Sequence, residues 1–282
     1  MRRHRIVLFV MALLALASGA GAAPLCDGDG GRCTLETGFY YAETPPRWNG
    51  RDPLPVLVHF HGFRELAADV IAREDLREIA GRLGFALVVP QGEGQTWSHP
   101  GSPSQLRDDI AFAESLLADL RQRLPVDENR VWSSGFSQGA SMVWALSCAR
   151  PGLFRLSMPI SGAFWRPEPE SCPPGVRAIR HIHGSNDVTF PMEGRPIRGG
   201  LFHQGRILHA LTLARRLNAC RPPEDDISST NGALTCRRAT GCDRGGYLEF
   251  CMHAGGHDFD PSWLEDGFRV LSEMGGESAR RR

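Results

Sequence analysis

The sequence predicts an α/β fold in which a mostly parallel sheet is covered by helices on both faces. Short apolar, β-branched runs alternate along the chain with amphipathic segments of helical period. Connections of this kind place successive parallel strands in one sheet and pack the helices against its faces. Ligands of such sheets bind beyond the carboxyl ends of the strands, so reactive residues that follow those ends are candidates for a functional site.

Each element is predicted from its own pattern of apolar residues. Strands are expected at 55–60, 85–89, 130–134, 156–160, 178–183, 234–238 and 247–252. Helices are expected at 65–83, 110–120, 140–149, 201–217 and 263–274. The sequence shows no internal repeat and no linker between domains, so residues 23–282 are expected to form a single catalytic domain.

The first 22 residues have the layout of a secretory signal peptide. Basic residues at 2–5 precede an apolar run at 6–17, and Ala20-Gly21-Ala22 offers an A-x-A cleavage pattern. The apolar run is shorter than the roughly 20 residues that a membrane-spanning helix needs. We therefore expect an exported protein, either secreted or periplasmic, whose mature form has no membrane anchor.

Charge and composition exclude some classes of function. The chain has 32 basic and 32 acidic residues and a formal net charge of zero, which gives no indication of a nucleic-acid partner. Every basic residue is arginine, so a lysine Schiff base is excluded. The oligomeric state does not follow from the sequence.

Eight cysteines in an exported chain predict up to four disulfides. Cys26 with Cys33 would close a local loop, and Cys148 with Cys172 would tie a helix end to a loop. The remaining four would bridge the C-terminal hairpin to the preceding helix: Cys220, Cys236, Cys242 and Cys251. The alternative is a zinc site without a paired C-x-x-C, built from Cys236, Cys242, Cys251 and His253.

The motif that carries most information is Gly135-Phe136-Ser137-Gln138-Gly139, between a predicted strand and a predicted helix. Glycine allows the sharp turn from strand to helix, which presents the Ser137 hydroxyl at the helix N-terminus. Backbone N–H groups there point at a developing oxyanion. The motif predicts that Ser137 is a nucleophile; the alternative is an ordinary serine in a tight turn.

A serine nucleophile needs a histidine base that is itself held by a carboxylate. Two loops after later strands supply these groups, one with Asp187 and the other with His257. We expect His257 to be the base and Asp187 its partner. Asp258 and Asp260 are rivals for the carboxylate role, and both also suit a solvated turn or a helix cap.

The tetrahedral intermediate of acyl transfer needs two hydrogen-bond donors. The backbone N–H of Gln138 is expected to be the first. The second is expected from the turn after strand 55–60, with the N–H of Phe63 favoured over that of Gly62. His61 is expected to pack beneath this turn.

No metal site is predicted from the ten histidines, and His203 is expected on the helix 201–217.

Three aromatic residues are candidates for the wall of an acyl or alcohol pocket, although aromatic side chains are more common in a core. They are Trp97, Phe136 and Trp165.

The order of these motifs resembles that of the secreted polyhydroxybutyrate depolymerase and feruloyl esterase-like hydrolases of the α/β-hydrolase superfamily. The resemblance spans residues 39–268 and rests on Phe60-His61-Gly62, the Ser137 motif, 183–187 and Gly255-Gly256-His257. It implies a disulfide-stabilised α/β-hydrolase fold with Ser137, Asp187 and His257 as nucleophile, acid and base. It also implies that no metal or organic cofactor takes part. Members often have Trp-Pro after the histidine where this chain has Asp258-Phe259, which alters the substrate-facing wall.

The expected function is an exported serine carboxylic ester hydrolase that acts through an acyl-enzyme. Depolymerases of solid polyester commonly carry a linker and a polymer-binding domain, which this sequence does not show, so small-molecule or oligomeric esters are the expected substrates. Two alternatives remain: a serine peptidase on the same fold, and a non-catalytic binding protein that retains a hydrolase fold.

Overall fold

The computed structural model describes residues 23–175, 178–243, 245–267 and 269–270. The expected signal peptide at 1–22 lies outside them, as do residues 268 and 271–274 of the expected final helix, whose start at 263–264 instead belongs to a 3₁₀ turn. The strands are β1 Ala23–Pro24, β2 Arg32–Leu35, β3 Gly38–Thr44, β4 Leu54–Phe60, β5 Ala86–Pro90, β6 Val126–Phe136, β7 Leu156–Ile160, β8 Ala178–Gly184, β9 Pro196–Ile197, β10 Phe202–His203, β11 Ile227–Asn231, β12 Leu234–Arg238 and β13 Tyr247–His253.

The helices of the described residues are α1 Ala67–Ile71, α2 Glu74–Leu83, α3 Asp109–Arg123, α4 Gln138–Ala149 and α5 Ile207–Leu217. Short 3₁₀ turns occur at Asp29–Gly31, Glu93–Gln95, Arg198–Gly200, Pro223–Asp225 and Pro261–Leu264. Over the same residues, no helix combines the length and apolarity that crossing a bilayer requires.

Eleven strands form one sheet, in the order β1-β3-β5-β4-β6-β7-β8-β13-β12-β11, with β2 paired to β3. The centre from β5 to β13 is parallel throughout. The expected parallel sheet is therefore confirmed for its centre. Antiparallel strands extend both edges, and of these only β12 was predicted; β1 and β2 are short, β11 is exposed throughout, and β3 was missed despite its seven residues.

Helices cover both faces of the sheet, as expected. Side chains of β4 alternate between the two faces, since Leu57 packs in one apolar core while Val56 and Val58 pack in the other. Helices α1 and α2 cover the Leu57 side, and α3 and α4 cover the opposite side. The parallel strands are consequently buried on both faces, which explains their continuous apolar runs.

Two predicted helices differ from the structure. The helix expected at 65–83 is interrupted, because Arg73 has extended backbone angles and separates α1 from α2. The break allows Val70 and Leu76 to pack in the same core. The helix expected at 201–217 begins only at Ile207, and His203 lies instead on β10, which pairs with β9.

All eight cysteines are in disulfides: Cys26–Cys33, Cys148–Cys172, Cys220–Cys242 and Cys236–Cys251. Cys220–Cys242 ties the end of α5 to the loop between β12 and β13, whereas Cys236–Cys251 joins the two strands of that hairpin. The zinc alternative is wrong, because its three cysteines are oxidised. Four disulfides indicate an oxidising compartment.

Candidate active site

Ser137 lies in a sharp turn between β6 and α4. Its φ of 57° and ψ of −117° belong to a region that non-glycine residues rarely adopt, and the turn is held by a 2.9 Å hydrogen bond from Ser137 N to Ile160 O. Gly139 explains why the motif needs a second glycine. A Cβ at that position would overlap the carbonyl oxygen of Phe60, because α4 starts directly against the end of β4.

Asp187 and His257 follow the neighbouring parallel strands β8 and β13 and meet at the carboxyl edge of the sheet. His257 Nδ1 lies 2.7 Å from Asp187 Oδ2. The other oxygen, Oδ1, accepts hydrogen bonds from the backbone N–H groups of Thr189 at 2.9 Å and Phe190 at 2.8 Å. The carboxylate is thereby fixed from both sides.

The pKa of Asp187 is held below its ordinary value. Burial acts to raise it, but hydrogen bonds from the His257 ring and the Phe190 N–H, together with nearby histidine charge, outweigh the burial. An ionised carboxylate only accepts hydrogen bonds, so His257 must carry its proton on Nδ1. The neutral ring then presents Nε2 as the proton acceptor, which is the tautomer that a general base requires.

The loops that carry the acid and the base are joined to each other by three hydrogen bonds. Ser185 N donates to His253 O at 2.9 Å, Asn186 N to Gly255 O at 3.1 Å, and Asn186 Nδ2 to Ala254 O at 2.8 Å. The pair Asp187–His257 is therefore supported by the backbone of both loops.

The rival carboxylates serve local backbone structure. Asp258 Oδ2 accepts a hydrogen bond from Gly256 N at 3.0 Å. Asp260 caps the 3₁₀ turn Pro261–Leu264 through Ser262 N at 2.9 Å. Neither makes a hydrogen bond to His257 in the described part of the chain.

The His257 ring lies against the turn that carries Ser137. The ring of Phe136, the residue before the serine, lies 4.7 Å from the His257 ring between centroids. Within the residues described, Ser137 Oγ makes no hydrogen bond to His257 Nε2. Such bonds are often long or absent without substrate and form only in the Michaelis complex.

Two backbone N–H groups beside Ser137 have no acceptor among the described residues, those of Gln138 and Phe63. The competing N–H of Gly62 donates to Glu65 Oε2 at 2.5 Å. His61 is fully buried beneath the turn, as expected, and its Nε2 accepts from Gly92 N at 2.9 Å. Gly62 is thus a poorer candidate donor than Phe63.

A cavity of about 890 Å³ opens over the serine and is lined by Phe63, Ser137, Gln138 and Trp165 among others. The prediction that Trp97 lines a pocket is wrong. Its ring is fully buried against Phe60 and His61, and its Nε1 donates to the His61 carbonyl at 2.8 Å.

Phe136 is also not on the cavity wall, because its ring packs against His257 and Phe259. Of the three aromatic candidates, Trp165 alone lines the cavity.

Comparison with known proteins identifies similar esterases, although no family model matches the chain. The chain is 24% identical to feruloyl esterase D of Neurospora crassa over 93% of its own length and 92% of that protein. It is 26% identical to a probable feruloyl esterase C of Aspergillus niger over 93% of each chain. The chain is a carboxylic ester hydrolase and resembles the feruloyl esterases.

Solved structures show that this esterase has the α/β-hydrolase fold. An acetyl xylan esterase from Aspergillus awamori superposes with a TM-score of 0.60 at 12% identity, over 86% of this chain and 98% of that one. An S-formylglutathione hydrolase from Agrobacterium tumefaciens gives 0.54 at 14% identity, over 86% and 93%. The expected fold and the resemblance to feruloyl esterases are confirmed.

The sequence did not reveal several side chains near the serine of this esterase. Thr96 Oγ1 and the side-chain amide of Gln138 lie 2.7–3.0 Å apart and hold the first residue of α4. Three arginines line the cavity: Arg64, Arg195 and Arg198. No local motif marks these residues, because they come from loops whose positions depend on the tertiary fold.

Proposed function

We propose that Ser137, His257 and Asp187 form the catalytic triad of this esterase. The observation that carries the proposal is the 2.7 Å hydrogen bond between His257 Nδ1 and Asp187 Oδ2, beside a serine in a strained strand-to-helix turn. A binding protein would have no physical need for this arrangement. The hydrogen bond also favours Asp187 over Asp258 and Asp260 as the acid.

In the acylation step, His257 Nε2 takes the proton of the Ser137 hydroxyl as Oγ attacks the ester carbonyl carbon. The carbonyl π electrons move to oxygen and form a tetrahedral oxyanion. When the intermediate collapses, the bond to the alcohol oxygen breaks and His257 returns the proton to the leaving alcohol. Asp187 stays ionised and stabilises the imidazolium.

Deacylation repeats these steps with water. His257 takes a proton from water as the oxygen attacks the acyl-enzyme carbonyl. When the second tetrahedral intermediate collapses, the bond to Ser137 Oγ breaks, His257 returns the proton to that oxygen, and the carboxylic acid is released. The N–H groups of Gln138 and Phe63 stabilise both oxyanions, and neither group has another acceptor among the described residues. The side chain of residue 63 is not required for this role.

The proposed substrates are soluble esters, either aryl esters of the feruloyl type or hydroxyalkanoate oligomers. A cavity of about 890 Å³ is within the usual range for small-molecule sites and holds an aromatic acid or a short oligomer. Trp165 supplies an apolar surface on its wall. The four disulfides support export, to the periplasm or beyond it, in agreement with the expected signal peptide.

The test is the turnover of an ester panel by mature protein and by Ser137→Ala. The panel contains p-nitrophenyl acetate, p-nitrophenyl butyrate, methyl ferulate and a soluble 3-hydroxybutyrate oligomer. We expect ester hydrolysis and covalent labelling by a fluorophosphonate, both lost in the variant. Equal activity of the two proteins would remove Ser137 from the mechanism, and peptide turnover above ester turnover would favour a peptidase.

A further inference from the structure

Among the residues that the structure describes, three arginines and no carboxylate line the cavity over Ser137. Eighteen residues form its wall, and their charged members are Arg64, Arg195 and Arg198. The whole chain is balanced, with 32 basic and 32 acidic residues, so this excess of positive charge is local. Charge of one sign inside a concave site concentrates ligands of the opposite sign.

None of the three guanidinium groups forms an ion pair in the part of the chain described. Arg195 is held in place instead, because its Nε donates to the Thr189 carbonyl at 2.7 Å and leaves its terminal nitrogens free to donate. The Arg198 guanidinium lies 5.8 Å from the centre of the Phe202 ring, and that of Arg64 lies 5.2 Å from the Phe63 ring. Two arginines thus rest on aromatic side chains rather than on acids.

Two of these arginines have an unusual backbone conformation, and the three come from two separate segments of the chain. Arg198 has a φ of 50° and Arg64 a φ of 66°, both in the left-handed region. Arg195 and Arg198 flank β9, which pairs with β10, while Arg64 follows the turn that carries Phe63. Two separate segments of the chain therefore place positive charge on one cavity.

We propose that the preferred substrate is an ester that also bears a free carboxylate, which the arginine-lined wall of this cavity binds. Planar guanidinium groups match carboxylates in charge and in hydrogen-bond geometry. The proposal rests on the esterase function proposed above. Among its candidate substrates it selects soluble hydroxyalkanoate oligomers, which end in a carboxylate, over neutral alkyl ferulates.

A matched pair of substrates tests this inference: the 3-hydroxybutyrate dimer acid and its primary carboxamide. Both contain the same single ester bond, and only the acid is charged. We expect kcat/KM to be about tenfold higher for the acid, as ion pairs with more than one arginine would give. The ratio of kcat/KM for the acid to that for the amide should fall as salt is raised from about 0.01 M to about 1 M, because salt screens the attraction between the arginines and the carboxylate.

Variants show where the preference arises. Arg195→Gln and Arg198→Gln should each reduce the acid-to-amide ratio of kcat/KM about threefold to fivefold. The control is Arg51→Gln, which removes the same charge from an exposed residue outside the cavity. Equal turnover of acid and amide by the unaltered enzyme would overturn the inference, even if ester hydrolysis depends on Ser137. Loss of the ratio in Arg51→Gln as well would also overturn it.

A second inference rests on a row of buried rings between α4 and the loop that bears Asp187. Trp144 Nε1 donates to His181 Nδ1 at 3.3 Å, His181 Nε2 lies 3.2 Å from His183 Nδ1, and His183 Nε2 lies 2.9 Å from Phe190 O. Both histidines are fully buried. Phe190 in turn donates its N–H to Asp187 Oδ1.

The hydrogen-bonding groups at the two ends of this row determine which ring nitrogen of each histidine carries the proton. The Trp144 indole N–H can only donate, so His181 Nδ1 accepts and a neutral His181 carries its proton on Nε2. His183 Nδ1 then accepts, and His183 Nε2 donates to the Phe190 carbonyl, which can only accept. All three hydrogen bonds run in one direction, from the helix that follows Ser137 to the loop that carries Asp187.

The geometry points to His181 and His183 as positioning residues that set the Asp187 loop against the Ser137 helix. His183→Leu should lower kcat about tenfold or more and change KM less, because the loop that carries Asp187 loses its anchor and only Thr189 and Phe190 of the cavity wall lie beside it. His183→Gln should recover much of the loss, since its amide N–H can still reach Phe190 O. Tyr40→Phe is the control, because it removes a partly buried hydrogen bond to Asp119, and neither residue lines the cavity.

Two results would contradict this second inference. One is an unchanged kcat in folded His183→Leu. The other is a loss equal to that of Tyr40→Phe when both variants are compared at matched folded fractions, since the effect would then be one of stability alone. Absence of any Ser137-dependent hydrolysis in the unaltered protein would instead reject the proposed function.

Discussion

Gly184 lies so close to Gly256 that a Cβ at position 184 would overlap the Gly256 carbonyl oxygen. Position 184 ends β8 and begins the loop to Asp187, and position 256 directly precedes His257. The close approach of the two backbones is what allows the acid and base loops to share hydrogen bonds. A glycine between a strand and an acidic residue is therefore part of the site, although it carries no reactive group.

Gly184→Ala should reduce kcat about a hundredfold by moving Asp187 away from His257, since displacements of about 1 Å cost that much. Steady-state kinetics with p-nitrophenyl butyrate measures the change. Gly81→Ala is the matched control. It lies within α2, where a Cβ meets only Pro46 Cδ at 3.4 Å, and should leave kcat unaltered. Equal activity of both variants would show that the contact of the loops does not position the acid.

Asp187→Asn should lower kcat by about 10⁴, because an amide can stabilise the wrong tautomer of His257 and cannot balance the imidazolium charge. Single-turnover kinetics with a p-nitrophenyl ester separates this loss of chemistry from a loss of binding. Asp258→Asn and Asp260→Asn should keep most of the activity, since both carboxylates serve backbone turns. A larger loss in either of them than in Asp187→Asn would reassign the acid.

The central strands and the order of the reactive loops could be predicted from the sequence, because their signals are local. Buried parallel strands appear as continuous apolar runs, and 156–160 was predicted at the observed bounds of Leu156–Ile160. The turn at Ser137 has its own glycine pattern. The loop before Asp187 could be recognised in the same way, since turn-forming residues follow a strand.

Features that depend on tertiary packing could not be predicted. The exposed strand β11 has no apolar pattern, since Ile227–Asn231 is exposed throughout. Trp97 was assigned to a pocket because an aromatic residue in a loop has the same sequence pattern whether it faces solvent or the core. Whether Arg195 and Arg198 line the cavity depends on where the tertiary fold places the separate pair of strands β9 and β10.

The disulfides should contribute unequally to stability. In the chain-entropy account, Cys220–Cys242 spans 22 residues and should contribute about 3 kcal/mol, against about 2 kcal/mol for Cys26–Cys33, which spans only 7. Urea unfolding of the two Cys→Ser pair variants measures the difference. A greater loss for the Cys26–Cys33 variant would contradict this order.

Mass spectrometry of exported protein should also find no free thiols.

Stability should fall as the pH drops below about 6.5, because the fold buries neutral histidines. Burial, with the nearby charge of Arg73, lowers the pKa of His59 from 6.5 to about 3. Burial also lowers the pKa of His99 to about 4, against an opposing hydrogen bond to Pro100 O. The unfolded chain therefore binds more protons between pH 6.5 and these folded pKa values, and protonation favours unfolding.

Lowering the pH from about 7 to about 5 should reduce the free energy of unfolding by about 2 kcal/mol for each of these two histidines. The lowered pKa of Asp187 adds nothing in this range, because its stabilising charge is lost only below its ordinary value of 3.8. Urea unfolding at about pH 7 and about pH 5 measures the loss, and His99→Gln should reduce it by about 2 kcal/mol because residue 99 no longer titrates. If the free energy of unfolding falls by the same amount between the two pH values in His99→Gln as in the unaltered protein, then His99 is already accessible to protons in the folded protein.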